Sequence, residues 1–314
     1  MKKILKRIGF IFLIFIIIAS IGMGYFIGNE TFKGLTNIMP RKKTVENISL
    51  YKDKYKKFAE DKKIKEIKIK SSKFDHEIPG VFVENKNTNN IAVMVHGLGG
   101  TKYSMSSQTQ GLYDLGFSLL IFDQRNSGEN LAKYSTFGVL ESYDCLDYLK
   151  YAKNNIKKDG KILLYGESYG GASSIIAASR DDSLIDYMIL DCPVSDSNEF
   201  SDKVFKKIEK NQGVPVALMK FTGNIFLKTK LGFSLKDIDT RKWLENTEIK
   251  CPVLIINSNS DKVTPYHMGE DIYKAINSDK KEIYTCKEIP HTKFAEKEPQ
   301  NFKNIISKFL KKYK

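Results

Sequence analysis

The chain has 314 residues, of which 41% are hydrophobic and 28% are charged, and it contains 19 Phe and 16 Tyr. So many apolar and aromatic residues can form a sizeable core, which excludes disorder as the main state. The formal charge is +14, but only five of the 51 basic residues are Arg. Because recognition of bases and phosphates favours the planar guanidinium of Arg, we predict no nucleic-acid partner. The four Cys include no Cys-x-x-Cys pair, so the sequence indicates neither a disulfide scaffold nor a zinc site.

The N-terminus has the pattern of a membrane anchor. Four cations, at positions 2, 3, 6 and 7, precede an uncharged run from residue 8 to residue 28. As a helix this run would be roughly 31 Å long, about the hydrocarbon thickness of a bilayer. We therefore predict a transmembrane signal-anchor over residues 1–28. The alternative is a cleaved signal peptide, with Ser20 and Gly22 as small residues at the cleavage point.

The charges on either side of this run bear on the orientation of the chain. Cations ahead of the run favour a cytoplasmic N-terminus, although Lys33 and the three cations at 41–43 reduce the asymmetry. We predict a single-pass protein of the cell membrane with its C-terminal domain on the extracytoplasmic side, or a secreted domain if the signal is cleaved. The Lys-rich segment 29–63 is predicted to be a juxtamembrane linker with one short helix that contains Tyr51, Tyr55 and Phe58.

The domain proper is predicted to span residues 64–314, where short apolar runs alternate with helical patterns. Five of these runs are apolar throughout and lie at 91–95, 119–122, 162–165, 188–190 and 253–256. Uninterrupted apolar runs are typical of parallel strands that are buried on both faces. A further strand is expected at 282–286, and residues 67–69 and 81–83 predict an antiparallel hairpin near the start. The domain is therefore predicted to be α/β, with a mostly parallel sheet and helices on both faces.

About sixty residues separate the predicted strands at 188–190 and 253–256, where one helix would suffice as a connection. They contain two helix-like stretches, at 200–210 and 214–231. Insertions at this point of an open α/β sheet lie above the carboxyl ends of the strands, where ligands bind. We predict a cap over about residues 194–249. Its apolar residues either pack the cap on the sheet or form an acyl-chain groove beside lysines.

Two glycine-rich segments follow predicted strands and predict acyl-transfer chemistry. Gly-Glu-Ser-Tyr-Gly at 166–170 joins a strand to a helical stretch, the sharp turn on which a nucleophilic serine is presented, here Ser168. His-Gly-Leu-Gly-Gly at 96–100 ends another strand and can bring a backbone N–H towards that serine. We predict that the N–H groups of Leu98 and Tyr169 form an oxyanion hole.

A general base and its acid are expected near the ends of the last two strands. His291 follows the strand at 282–286, and Asp261 follows the strand at 253–256, so Ser168, Asp261 and His291 have the chain order of a hydrolase triad. His291 would take the serine proton, and Asp261 would orient the imidazole. Asp191, at the end of an earlier strand, is the alternative acid. The other three His (His76, His96 and His267) are predicted to be structural or at the surface.

These motifs resemble those of the α/β-hydrolase superfamily over about residues 64–314. The segment Asp-Gln-Arg-Asn-Ser-Gly at 123–128 also resembles a loop of that family, usually Asp-x-Arg-Gly-x-Gly, from which Asn126 and Ser127 depart. Within the superfamily the chain is most similar to the bacterial serine-aminopeptidase and monoglyceride-lipase-like group, some members of which have an N-terminal membrane anchor. The resemblance implies an α/β-hydrolase fold with a helical cap.

A serine nucleophile implies hydrolysis through an acyl-serine intermediate. Carboxylic esters are the expected substrates, small-molecule or lipid, because an alkoxide leaves more easily than an amine. The sequence predicts an esterase or lysophospholipase-like lipase that needs no cofactor and no metal, and it indicates no particular protein partner. Two alternatives stay open: a serine peptidase of the same fold, and an anchored binding protein without turnover.

Overall fold

The structure is a computed structural model, and it describes residues 2–155 and 159–314. The chain forms two compact units. The first joins Met1–Thr36 with Asn198–Lys236, and the second comprises Asn37–Ser197 and Asp237–Lys314. All five residues that were predicted to form the active site belong to the second unit.

Within the described residues, eight strands of the second unit form one sheet. In chain order they are β1 (Lys63–Lys70), β2 (Glu77–Glu84), β3 (Ile91–Val95), β4 (Ser118–Phe122), β5 (Ile162–Glu167), β6 (Tyr187–Asp191), β7 (Val253–Ser258) and β8 (Lys281–Cys286). Their spatial order is β1-β2-β4-β3-β5-β6-β7-β8. Strand β2 is antiparallel to both of its neighbours, and the remaining pairs are parallel. The mostly parallel sheet predicted from the apolar runs is therefore confirmed.

The helices of the described residues are numbered in chain order. They are α1 (Lys2–Thr36), α2 (Arg41–Ala59), α3 (Ser106–Asp114), α4 (Glu141–Asn155), α5 (Tyr169–Arg180), α6 (Asn198–Gln212), α7 (Val216–Leu231), α8 (Thr240–Glu245), α9 (His267–Ala275), α10 (Phe294–Lys297) and α11 (Pro299–Lys312). One apolar layer packs α4, α5, α8 and α9 against the sheet, and the opposite layer contains α2, α3, α10 and α11. The residues of β3, β4 and β6 are all buried, because both faces of these strands are covered.

The first unit is helical. Helices α6 and α7 come from the insertion between β6 and β7, and α7 packs on α1. The uncharged part of α1 is exposed, and by length and composition alone it could cross a membrane, a test that a signal sequence also passes. Helix α8 belongs to the unit of the sheet, so the separate part of the insertion, 198–236, is shorter than the predicted 194–249.

The segment 29–63 differs from the expected linker with one short helix. Helix α1 continues to Thr36, beyond the predicted boundary at residue 28, and α2 has 19 residues. Phe58 of α2 is buried in the apolar layer of the second unit, where its ring contacts Tyr55 and Tyr113. The apolar residues of α2 were recognised in the sequence, but the length of the helix was underestimated because lysines separate them.

The burial of Phe58 gives a test of this correction. Phe58→Ala should lower the free energy of unfolding by about 3–5 kcal/mol, because it removes a buried aromatic ring and leaves a cavity. Val45→Ala, at an exposed position of the same helix, should change it by less than about 0.5 kcal/mol. Urea unfolding of the full chain in mild detergent measures both. Equal, small effects would mean that α2 is not part of the folded unit.

Candidate active site

The turn between β5 and α5 holds Ser168 in an unusual backbone conformation. Its φ is 53° and its ψ is −116°, a region that costs a residue other than glycine about 1–3 kcal/mol. The two flanking glycines make this turn sterically possible. A Cβ at Gly166 would lie 2.7 Å from the carbonyl oxygen of Gly170, and a Cβ at Gly170 would overlap the carbonyl oxygen of Val95. The strained turn predicted from Gly-x-Ser-x-Gly is thus present.

The side chains of Ser168, His291 and Asp261 form one hydrogen-bonded chain. The Oγ of Ser168 lies 2.9 Å from Nε2 of His291, and Nδ1 of the same imidazole lies 2.6 Å from Oδ2 of Asp261. Asp261 follows β7 and His291 follows β8, so residues from three strand ends meet at one edge of the sheet. The structure therefore brings together the three residues that the motif order singled out.

Asp261 is held as an ionised carboxylate by its hydrogen bonds. Burial alone would raise its pKa, but hydrogen bonds from His291, from two backbone N–H groups and from the Thr264 hydroxyl lower the pKa below its ordinary value. A charged carboxylate at Nδ1 keeps the proton of the imidazole on that nitrogen, which leaves Nε2 free to accept the proton of Ser168. Oγ1 of Thr264 also lies 3.2 Å from Nδ1 of His291, a contact that the sequence analysis did not predict.

Asp191, the alternative acid, has a different partner. Its Oδ2 accepts a hydrogen bond of 2.6 Å from the hydroxyl of Tyr165. Complete burial raises the pKa of Asp191, which favours its neutral form. Because Asp261 holds Nδ1 of His291, the geometry favours Asp261 as the acid.

The remaining histidines have other surroundings. Nε2 of His76 lies 2.8 Å from a carboxylate oxygen of Asp144, and His267 is exposed at the start of α9. His96 is buried; its Nδ1 donates to the carbonyl of Gly97, and its Nε2 accepts the N–H of Gln124. Burial lowers the pKa of His96 to about 4, so its imidazole is neutral and fixes the shape of the loop.

That loop passes directly against Ser168. A Cβ at Gly97 would lie 3.3 Å from Cβ of Ser168. Leu98 follows Gly97, and Tyr169 follows Ser168 as the first residue of α5, where a backbone N–H has no acceptor within the helix. Both predicted donors are therefore next to residues that contact each other. Their role as an oxyanion hole stays a prediction.

The loop at 123–128 departs from the family pattern in sequence but has the left-handed backbone conformation that glycine usually provides there. Asn126 has a φ of 54° and so adopts the left-handed conformation at the position usually occupied by glycine. Asn tolerates this conformation better than most residues. Gln124, in the same loop, accepts a hydrogen bond from Ser173 of α5. With Asn126 in place of the usual glycine, the loop still contacts the helix behind Ser168.

A polar bridge that the sequence analysis missed joins the loops around the triad. Nε2 of Gln108 donates to Oε2 of Glu167 at 2.8 Å and to the carbonyl of Thr292 at 3.1 Å. Glu167 also accepts the N–H of Gly97. Glu167 precedes Ser168, Thr292 follows His291, and Gly97 precedes Leu98, so the bridge connects the segments that carry three of the predicted site residues. Burial and the nearby Asp191 raise the pKa of Glu167 to about 8.

Cys192, Asp261 and His291 offer ligand atoms within 4.8 Å of one another, the spacing of a metal site. Their chemistry fits the hydrogen-bonded chain better. Burial and Asp191 raise the pKa of Cys192 well above its ordinary value, whereas a thiol binds metal as the thiolate. Nδ1 of His291 is already bonded to the carboxylate.

Comparisons with known proteins agree with this architecture. The family described as alpha/beta hydrolase fold matches residues 92–213. The esterase Pf2001 of Pyrococcus furiosus superposes with a TM-score of 0.64 at 20% identity, over 82% of this chain and 94% of that one. An esterase from Thermogutta terrifontis superposes with a TM-score of 0.56 at 17% identity, over 79% of this chain and 99% of that one. The chain has the α/β-hydrolase fold.

The chain also has relatives in sequence. The uncharacterized protein YqkD of Bacillus subtilis is 24% identical over 240 residues, which are 76% of this chain and 77% of that protein. A lysophosphatidylserine lipase, ABHD12 of Xenopus tropicalis, is 24% identical over 192 residues, or 58% of this chain. This match covers 46% of the lipase, so the chain spans just under half of its length.

The contrast between Asp261 and Asp191 gives the first test of the site. With an ester substrate, Asp261→Asn should lower kcat by about 10³–10⁴-fold, since the amide cannot hold the imidazole in the required tautomer. KM should change little. Asp191→Asn serves as the matched control and should lower kcat by less than about tenfold. The reverse order of the two losses would make Asp191 the acid.

The raised pKa of Glu167 predicts that the free energy of unfolding depends on pH. As the pH rises from the ordinary carboxyl pKa of 4.5 to about 8, the unfolded chain loses this proton while the folded chain keeps it. The free energy of unfolding of the wild type should therefore fall relative to that of Glu167→Gln over this range, and the difference should be constant at higher pH. Chemical denaturation between pH 5 and pH 9 measures it. A difference that does not vary with pH would show that Glu167 ionises normally.

Proposed function

We propose that the protein is a membrane-anchored serine hydrolase that cleaves carboxylic esters through an acyl-serine intermediate. The observation that carries the proposal is the hydrogen-bonded chain from Ser168 through His291 to Asp261, with 2.9 Å and 2.6 Å between the bonded atoms. Nucleophile, base and orienting acid are each within direct reach of the next, as this chemistry requires.

In the first step, Nε2 of His291 takes the proton of Ser168 while Oγ attacks the ester carbonyl carbon. The imidazolium that forms is stabilised by the carboxylate of Asp261. The carbonyl oxygen becomes an oxyanion, which accepts hydrogen bonds from the N–H groups of Leu98 and Tyr169. Each such donor typically contributes about 10²–10³ in rate.

His291 then donates its proton to the departing alkoxide, which leaves as the alcohol, and the acyl group stays on Ser168. A water molecule loses a proton to the same imidazole and attacks the acyl carbonyl carbon. Collapse of the second tetrahedral intermediate breaks the bond between the acyl carbon and Oγ, releases the carboxylic acid and returns the proton from His291 to Oγ. Each step uses this chain's own residues and water, so we propose no cofactor.

The substrate we favour is a lipid ester with a single acyl chain, as for an esterase or lysophospholipase-like lipase. Two observations support this choice: the long exposed apolar run of α1, and a relative named as a lysophosphatidylserine lipase. We also propose that α1 anchors the chain in the cell membrane, with the sheet unit on the extracytoplasmic side. Membership of the serine-aminopeptidase and monoglyceride-lipase-like group is part of this proposal.

Labelling by a fluorophosphonate, which reacts with activated serines, tests the nucleophile. The full chain in mild detergent should be labelled, and Ser168→Ala should lose the label completely because the attacking oxygen is absent. Ser173→Ala, in the helix that follows, is the matched control and should keep the label. Labelling that persists in Ser168→Ala, or that is absent from the folded wild type, would contradict the proposal and favour a binding protein without turnover.

A substrate panel separates esterase from peptidase activity in the same preparations. Monoacylglycerols and lysophospholipids should be hydrolysed by the wild type, and aminoacyl amides should be hydrolysed far more slowly. Faster cleavage of the amides would make the chain a peptidase of the same fold.

A further inference from the structure

Helix α1 does not end where its uncharged run ends. It continues without a break from Gly28 to Thr36, and this extension has one buried face, formed by Gly28, Thr31, Phe32 and Leu35. Their spacing of three and four residues is that of one side of a helix. The extension belongs to the same compact unit as α6 and α7 of the insertion.

The buried face of α1 packs against α7 through two glycines. A Cβ at Gly28 would lie 2.8 Å from ring atoms of Phe226, and a Cβ at Gly223 would lie 2.5 Å from Cγ2 of Thr31. The two helices therefore approach each other more closely than larger residues would permit, as helix pairs with small residues do in membranes. The ring of Phe226 also contacts that of Tyr25, with centroids 5.3 Å apart.

This contact fixes the level at which α7 crosses α1. Tyr25 and Gly28 are among the last residues of the uncharged run, whereas Lys33 lies one turn further on. If the run spans the bilayer, α7 crosses α1 at the boundary between hydrocarbon and headgroups. A lysine beside an aromatic ring fits this boundary. The ammonium of Lys230 lies 4.8 Å from the ring centroid of Phe32.

The outer face of α7 is apolar and exposed. The side chain of Phe221 is 67% exposed, and that of Ile225, one turn later on the same face, is 44% exposed. The exposed Lys228 follows on the next turn. A helix that buries one face on a partner and exposes apolar residues followed by lysines on the other has the composition of an interfacial membrane helix.

We propose that α7 lies in the interfacial region of a phospholipid bilayer, with Phe221 and Ile225 inserted among the acyl chains and with Gly223 holding the helix on α1. The proposal rests on the membrane anchoring proposed above and goes beyond it. The insertion between β6 and β7 then carries a lipid-binding surface of its own, next to the anchor. Lys228 should favour anionic headgroups.

A fluorescent label measures this insertion directly. All four native cysteines are buried, so a thiol introduced by Phe221→Cys is the accessible one and can carry a nitrobenzoxadiazole label. The labelled full chain is reconstituted in vesicles of phosphatidylcholine and phosphatidylglycerol that contain lipids with nitroxide-labelled acyl chains. Leu131→Cys, at a position 73% exposed in the sheet unit, is the control. The label at 221 should be quenched at least about twofold more than the label at 131.

A second pair of variants tests the role of the helix contact. With the label at 221, Gly223→Leu should reduce the quenching, because its side chain would collide with Thr31 and separate α7 from α1. Gly34→Leu is the matched control, since a Cβ at Gly34 meets no atom within 4 Å and the label should stay quenched.

The outcomes distinguish this proposal from the anchoring on which it rests. Vesicle flotation reports the anchoring: a chain that does not float with the vesicles overturns both. A chain that floats while its label at 221 is quenched no more than the label at 131 overturns the insertion of α7 alone. Disulfide-linked dimers of the unlabelled Phe221→Cys variant would show that a second copy covers this face, and would also overturn it.

Discussion

The hydroxyl of Ser168 is held in place by a backbone conformation that serine disfavours. With φ at 53°, the residue can hold this position only because the surrounding structure fixes it: β5 is paired on both sides, and α5 packs behind the turn through its buried small residues. Gly166 and Gly170 provide the room that the turn requires. The free energy that folds the sheet thus offsets a local strain, and the result is a hydroxyl that lies within hydrogen-bond distance of His291, which follows β8.

The order of the strands determines which residues can meet this hydroxyl. Strands β6, β7 and β8 follow β5 across the sheet in parallel, so that segments after each of them emerge at the same edge. The pKa values of the three carboxyl groups at that edge are shifted in opposite directions. Asp261 receives enough hydrogen bonds to lower its pKa, whereas burial raises the pKa of Glu167 and that of Asp191. A charged carboxylate beside the imidazole and two acids that favour their neutral form behind it limit the repulsion between neighbouring negative charges.

Much of the fold could be predicted because uninterrupted apolar runs define buried parallel strands. Each of the runs from 91–95 to 253–256 lies within an observed strand, and the early hairpin corresponds to β1 and β2. The serine, the aspartate and the histidine could be located because motif type, strand ends and chain order all pointed to the same residues. Leu98 and Tyr169 were predicted as oxyanion donors from their positions in those motifs alone.

Other features could not be predicted because they depend on contacts between residues far apart in the sequence. Gln108 and Glu167 are 59 residues apart, and nothing in the sequence around Gln108 indicates that it bridges two loops. Thr264 lies three residues after Asp261, but its contact with Nδ1 of His291 joins residues that are 27 positions apart. The length of α2 was underestimated because only a few apolar residues, such as Phe58, specify this helix among lysines. The packing of Gly223 on α1 could not be predicted because it joins distant parts of the chain.

The central claim is that Ser168 attacks while two backbone N–H groups receive the charge that develops on the substrate oxygen. A crystal structure of the phosphonylated protein tests this most directly, because the phosphonyl oxygen occupies the place of the oxyanion. We expect phosphorus bonded to Oγ of Ser168, with that oxygen about 2.7–3.1 Å from the nitrogens of both Leu98 and Tyr169. Phosphorus on another side chain, or an oxygen directed away from both nitrogens, would contradict the account.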